Sequence, residues 1–404
     1  MDVVRAILQY NAGRDPERLA LKFAKMRRSP FLFLRGSAHL FHARLKRSLL
    51  KPAPLAWCCG DLHLENFGSY HGSNGLAYFD INDFDEAALA PASADLLHLL
   101  ASLWLAADEM DLGPEDAGEL ARALQEAYAD ALSGGKAYWL ERDTADGPVK
   151  RLLDQVGERR AQADLLARRC TGQGKRRRLR VDGRYALPAS AEQIDSVTAF
   201  LAELAGAAQP GRFHEVLDVA RRVAGTGSLG LDRYVMLVRG DGGANGAQLL
   251  DLKPALASTL APAVGVKQPR FKTEAERQLA VQQRMQAISM APVQAVSWAG
   301  RPYVLRSLQP GEDRLDLAAL ARQRGGALRH SLVTMGRLLA WAQLRAAGRQ
   351  GSANADELID FGQRGRGPGK WRDRLLQSSH AAARQVREDA ALFNQACDDG
   401  ALKL

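Results

Sequence analysis

The chain has few cysteines, no long apolar stretch and no internal repeat. Its 404 residues hold four cysteines, Cys58 and Cys59 side by side, with Cys170 and Cys397 far away. That spacing provides neither a disulfide framework nor the paired ligands of a zinc motif, so reduced thiols are expected. No apolar run approaches the ~18 residues that span a bilayer. The opening Met1-Asp2-Val3-Val4-Arg5 lacks the basic start and apolar core of a secretory leader. A cytoplasmic location is the expectation. Recognised nucleic-acid-binding motifs are also missing. With 46% apolar and 25% charged residues, the composition excludes wholesale disorder and leaves room for two or three lobes.

Charge is plentiful and uneven. The net charge is +9, and Lys150 to Arg180 holds 11 Lys or Arg against Asp154, Glu158 and Asp164. Such a stretch is either a solvated helix face followed by a loop, or a contact surface for nucleic acid, an anionic metabolite or a membrane.

Two acidic clusters stand out against this basic background. Cys59-Gly60-Asp61-Leu62-His63-Leu64-Glu65-Asn66-Phe67 follows the apolar Leu55-Ala56-Trp57. Asp80-Ile81-Asn82-Asp83-Phe84-Asp85-Glu86 overlaps the end of a run beginning Leu76-Ala77-Tyr78-Phe79. Each run reads as a short strand, so carboxylates are presented at strand ends. Asp61 stands five positions before Asn66, and further carboxylates follow in the second cluster. Kinase catalytic and metal-binding loops share this layout.

Asp15 and Pro16 signal a helix start. The alternation of Phe31 and Phe33 up to Gly36 suggests a strand or buried turn. Asp95 to Met110 is a largely apolar helix, and Gly113-Pro114 opens another through Ala131 that stops at Gly134-Gly135. Ser190 and Gln193 form a capping box for a third, running to about Leu204. Gly206 to Gly211, with Pro210, marks a boundary. Beyond it, Tyr234 to Val238 and Gln248 to Lys253 read as strands joined by the turn Gly240-Asp241-Gly242-Gly243, and with the segment before Gly225 they make three antiparallel strands. A helix carrying Glu274 and Glu276 extends toward Ile288, and two more strand-like runs end near Val304 to Leu308. From Asp316 the chain is helical, with Leu328, Leu332, Met335, Leu339 and Ala342 along one face. The expected fold is α+β and two-lobed. Residues 1–210 form a helical lobe with the acidic loops, 211–310 a small antiparallel-sheet lobe, and 311–404 the remaining helices of the helical lobe.

Gly225-Thr226-Gly227-Ser228-Leu229-Gly230 fits G-x-G-x-x-G, which also marks dinucleotide-binding folds. Asp251 has the spacing of the acidic residue in that fold, but strand formers rather than a helix follow Gly230. In a kinase the same glycines form a hairpin over the phosphates, and a lysine on the third strand holds the α- and β-phosphates. Lys253 suits that role. In ordinary kinases, however, the glycine loop precedes the catalytic loop, and here it comes long after. The order is that of a circular permutation, tolerable where the original termini lie close together. The helix from Ala327 to Ala347 would then be the one that normally leads into the catalytic loop.

The sequence resembles a bacterial family catalogued as domain of unknown function 2252, related to protein kinases and aminoglycoside phosphotransferases. The resemblance covers most of the chain. It is carried by the segment ending at Gly36, by Gly60-Asp61-Leu62-His63 through Asn66-Phe67-Gly68, by Asn82 to Glu86, by Asp95-Leu96, by Gly225 to Gly230 and by Leu252-Lys253. The resemblance implies that Asp61 orients or deprotonates an acceptor hydroxyl, and that Asn66 and Asp83, with Asp85 competing, hold Mg²⁺. By the same similarity Gly225, Thr226, Gly227, Ser228, Gly230 and Lys253 hold ATP. Glu276 would be the lysine's helix partner, with Glu274 and Gln282 as alternatives. Asp95 would bond the backbone of the catalytic loop.

Two positions depart from the pattern. Cys59 replaces the usual histidine before Gly-Asp. His63, placed with Asp61 in the catalytic loop, stands where protein kinases carry lysine and small-molecule phosphotransferases often carry histidine, which favours a small-molecule acceptor. Three function classes follow: an ATP- and Mg-dependent phosphotransferase, an AMP transferase on the same scaffold, or a non-catalytic nucleotide sensor with a basic face at Lys150 to Arg180 for nucleic acid or lipid.

Overall fold

The computed structural model describes residues 1–158, 161–207, 215–239, 246–290, 293–308, 313–323, 325–365 and 371–402. The turn expected at Gly240 to Gly243 and most of the Gly206 to Gly211 boundary lie outside these residues. Twelve strands occur among the described residues: β1 Leu55–Cys58, β2 Phe67–His71, β3 Ala77–Ile81, β4 Ala88–Pro91, β5 Cys170–Thr171, β6 Arg178–Leu179, β7 Ala186–Pro188, β8 Glu215–Arg222, β9 Tyr234–Arg239, β10 Ala247–Pro254, β11 Val293–Trp298 and β12 Arg301–Ser307. The last six, β7 to β12, form one antiparallel sheet in the order β11-β12-β10-β9-β8-β7. The rest pair as the small ribbons β1-β4, β2-β3 and β5-β6.

Strand alternation divides the large sheet into two faces. Tyr234, Met236, Leu250 and Leu252 pack under Val197, Phe200 and Leu201 of the helix Ala191–Ala207. Ser190 and Gln193 cap that helix reciprocally, as their spacing predicts. On the other face Val235, Leu237 and Leu249 meet Leu165 and Leu166 of the helix Ala161–Arg169. Asp251 and Lys253 follow Leu249 at steps of two, so they share this second face.

The helical part is larger. Ser93–Ala106 is almost entirely buried, and the helices Pro114–Gly134 and Ala327–Arg345 lie along one another. Gly336 makes that contact possible, since a β-carbon there would sit 2.3 Å from the Leu124 carbonyl oxygen. The long helix Trp371–Asp398 brings Phe393 against Phe23 and Phe33, each with ring centroids 5.4 Å away. Arg345 reaches from its helix to the buried Asp80 of β3 at 2.7 Å, tying the helical core to the second acidic cluster.

One element differs from the sequence pattern. Phe31 to Gly36 belongs to the helix Pro30–Gly36, not to a strand. Ser29 accepts the Leu32 amide and Pro30 occupies the first turn, and these start signals outweigh a two-phenylalanine alternation. The first helices also reach across the molecule. Arg14 donates to the carbonyls of Gly227 and Leu229, at 2.7 and 2.9 Å, and the Asp15 amide donates to Gly230. The glycine segment is thus clamped by residues more than two hundred positions earlier.

Gly336→Val forces its side chain into the Leu124 carbonyl. We expect urea denaturation to show a loss of about 3 kcal/mol, at the upper end for overpacking of a close helix contact.

Candidate functional site

The segment from Gly60 to Asn66 is held from below by three side chains of neighbouring helices. Asp95, fully buried in the first turn of Ser93–Ala106, accepts the amides of Cys59 and Gly60 at 2.8 and 2.9 Å. His42 meets the Gly60 carbonyl at 3.0 Å through Nε2, and His98 meets the Leu62 carbonyl at 2.9 Å through Nδ1. A carbonyl only accepts, so each of those ring nitrogens carries the proton. Gly60 itself has φ +94°, and a β-carbon there would overlap the Glu86 carbonyl at 2.1 Å. No other residue fits where the two acidic clusters touch.

This anchoring presents Asp61 to a cavity of about 230 Å³. Asn66, Asp83, Asp85, Lys253 and the loop from Ala224 to Ser228 line the same space. Burial first, then Glu86 and Asp83, push the Asp61 carboxyl well above its ordinary range. His98 Nε2 lies 3.3 Å from Asp61 Oδ1. With its proton on Nδ1, a neutral His98 offers only a lone pair there, and burial lowers its pKa to about 3. The approach is therefore favourable when Asp61 is protonated.

Asp83 and Asp85 receive Lys253 from β10. The ammonium is 3.5 Å from Asp83 Oδ1 and in direct contact with Asp85 Oδ2. Burial works against ionisation of Asp83, but Lys253, Arg306 and Arg233 outweigh it and hold the carboxyl below its usual range. Asp85 goes the other way, pushed up by burial and by Asp83. A cation already bridges the pair. Among the described residues no three His, Cys, Asp or Glu side chains converge as a complete metal cage. The available set is two carboxylates and one amide oxygen, which suits an ion such as Mg²⁺ that fills its shell from water and phosphate. Asp61 Oδ1, Asn66 Oδ1, Asn82 Oδ1 and Thr226 Oγ1 are all buried without a hydrogen-bond partner among the described residues. Buried oxygens left this way are costly, and their concentration around one cavity fits a donor-bearing or cationic ligand.

The glycine loop joins β8 to β9. Gly225 and Gly230 adopt φ +68° and +88°, which glycine tolerates without strain. Behind the loop, Asp251 is fully buried and contacts Arg222, Arg233 and Arg306 at 2.8, 2.6 and 3.1 Å. These guanidiniums hold its carboxyl far below the usual range despite burial. Three guanidiniums are thereby gathered at this wall of the cavity. The spacing of Asp251 after the glycines, which imitates a dinucleotide fold, instead positions this anchor.

The structure does not bring Glu276 to Lys253. Glu276 accepts from the Lys272 amide at the start of its own helix, Glu274–Met285, and does not line the cavity. Gln282 is likewise turned away, donating to Gln286. Glu274 pairs with Arg277, whose guanidinium bonds the carbonyls of Asp85, Ala87 and Leu256. His63 is buried, with the Glu65 amide at Nδ1 and Arg35 at Nε2. Burial and Arg35 keep its pKa well below the ordinary value, so it serves as a hydrogen-bond acceptor in the loop rather than an acid. Sequence patterns did not single out Arg14, Arg222, Arg233, Arg306 or His98. The arginines gain a site only when distant segments meet around Asp251 and the glycine loop, although Asp251 and Lys253, two apart on a strand, were a readable hint of a shared face.

Burial raises the pKa of Asp95 to about 6, against the pull of the Gly60 and Cys59 amides. A folded-state pKa above the unfolded value means that the native state binds the extra proton, so this contribution is full below the unfolded pKa and fades as pH rises through 6. Comparing urea unfolding of the parent with Asp95→Asn should show the parent's advantage falling from pH 4 to 6.5 and level above that.

No curated protein and no solved structure matches this sequence or fold. A bacterial family described as "Uncharacterized protein conserved in bacteria (DUF2252)" matches over residues 14–396, a span that takes in the acidic loops, the Asp95 anchor, the clamped glycine segment and Lys253. The chain belongs to that family.

Proposed function

We propose that the protein is an ATP- and Mg-dependent phosphotransferase with a circularly permuted, kinase-like arrangement of its two lobes, acting on a hydroxyl acceptor. The observation that carries this reading is the meeting of Asp61, Asn66, Asp83, Asp85, Lys253 and the Gly225–Ser228 loop around one cavity that contains unpaired buried oxygens. Phosphoryl transfer needs little else from a protein than alignment and charge neutralisation. Asn66, Asp83 and Asp85 would hold Mg²⁺, which would neutralise charge on the transferring phosphate. Lys253 and the glycine loop would hold the phosphates. Asp61 would align the acceptor hydroxyl and, in its ionised form, take its proton. Glu276 has no place in this scheme, and the carboxylates of Asp83 and Asp85 are the lysine's partners.

AMP transfer is a second reading, and one observation favours it. Arg222, Arg233 and Arg306 bring three guanidiniums around Asp251 at the wall of the same cavity, where the terminal phosphates of an inverted nucleotide would be held. The mass added to a modified product separates phosphate from AMP.

A thermal-shift series with nucleotides, with and without Mg²⁺, tests the shared premise. At a hundredfold excess over Kd a ligand of the native state stabilises it by about 2.7 kcal/mol, and we expect a shift that needs both nucleotide and metal. Asp83→Ala should lose the metal-dependent part. Asp61→Asn should keep the shift while turnover of labelled ATP falls by about 10²-fold or more. Absence of any nucleotide shift in the folded parent removes both readings.

A further inference from the structure

A second cavity, of about 690 Å³, lies beside the first and shares Arg222 and Ala224 with it. Its walls come from the helix Pro16–Met26 and the residues just after it, the segment around Arg180 to Ala186, and the Lys253 face of the large sheet. Six of its lining side chains are cationic: Lys25, Arg28, Arg169, Arg180, Arg184 and Arg222. No carboxylate is among the described residues that line it. The floor is apolar, built by Leu229, Val235, Leu249 and Leu308, with the Tyr185 ring at the side. Its volume falls within the ~300–1,000 Å³ of small-molecule sites.

Arg169 gives the cavity its direction. Its guanidinium stacks on Tyr185 at 3.4 Å, and Nη1 is buried without a hydrogen-bond partner among the described residues. A fixed, desolvated donor of this kind is costly unless an acceptor comes to it. Asp182 is close enough for its charge to act on Arg169, but neither it nor Asp218 or Asp251 bonds Nη1. Asp182 accepts the amides of Arg184 and Tyr185, Asp218 accepts the Leu179 amide, and Asp251 holds Arg222. Lys25 is crowded enough that burial, followed by Arg35, lowers its pKa.

We infer that this cavity binds a small phosphate monoester with an apolar body, its phosphate against the guanidiniums and its body on the Leu229–Leu308 floor. Guanidinium forks match phosphate oxygens, and an apolar floor selects against free phosphate or a fully polar sugar phosphate. The inference places Arg169 and Arg180, the end of the basic stretch Lys150 to Arg180, in a pocket rather than on a surface stripe. Elsewhere in that stretch Lys150 pairs with Asp154, and Arg168 donates to the Asp164 carbonyl.

Calorimetric titration of the full chain with 1-naphthyl phosphate tests this. It should bind at least tenfold tighter than either 1-naphthol or inorganic phosphate, because each probe lacks one half of the recognition. The double variant Arg169→Gln/Arg184→Gln should weaken naphthyl phosphate about tenfold or more, the loss expected for charge-assisted bonds. Ala24→Trp, at an exposed position on the cavity rim, should weaken it similarly by filling the space with no change of charge. Circular dichroism establishes that each variant is folded. Equal binding of naphthyl phosphate and inorganic phosphate, unchanged binding in either folded variant, or tighter binding of a single-stranded oligonucleotide overturns the inference. Asp83→Ala should leave naphthyl phosphate binding intact, so a failed nucleotide assay and a failed second pocket are separate results.

Discussion

Two amides and one buried carboxylate fix the centre of this protein. Asp95 has no exposure to water and takes the Cys59 and Gly60 N–H groups together, which sets the backbone one residue before Asp61. A buried carboxylate is tolerable only with such partners, and once the pair of bonds exists the loop above has little freedom. Gly60, with its left-handed backbone against the Glu86 carbonyl, extends the constraint from the first acidic cluster to the second. His98 of the same helix as Asp95, and His42 of the helix Ala38–Ala43, hold the neighbouring carbonyls. The position of Asp61 therefore depends on the packing of the helical core, not on the loop's own sequence.

Charge organises the opposite wall. Lys253 meets Asp83 and Asp85, while Asp251 gathers three arginines from strands and a loop. The two groups sit two residues apart on one strand, so a single register places both. The result is a cavity that is acidic toward Asp61 and cationic toward the sheet. Such polarity suits a ligand that is itself an anion carried with a cation. Arg222 belongs to both this wall and the neighbouring cavity, which further guanidiniums line.

Much of this was readable in advance, for identifiable reasons. Ser190 and Gln193 announced their helix because capping is local chemistry. Strands β8 to β12 of the large sheet were visible because β-branched and aliphatic residues lie between glycine-rich turns, whereas the three-residue β7 was too short to show. Phe31 to Gly36 misled because two alternating aromatics are too short a pattern to outweigh a Ser-Pro start signal. Glu276 was favoured as a lysine partner because it is a carboxylate near the start of the right helix. The fold turns that carboxylate back to cap its own helix at the Lys272 amide, and instead Asp83 and Asp85 come to the lysine.

The sequence by itself determined the local pieces: the carboxylate–asparagine spacing from Asp61 to Asn66, the glycine segment, the strand-end lysine and the family to which they belong. Each is written within a few consecutive residues, where backbone preference and side-chain chemistry act directly. Only the tertiary structure decided which pieces meet. Arg14 on the glycine carbonyls, His98 beside Asp61, the arginines around Asp251 and the unpaired oxygens around one cavity all join residues far apart in the chain, because burial of apolar faces brings those segments together and leaves their charges to find one another.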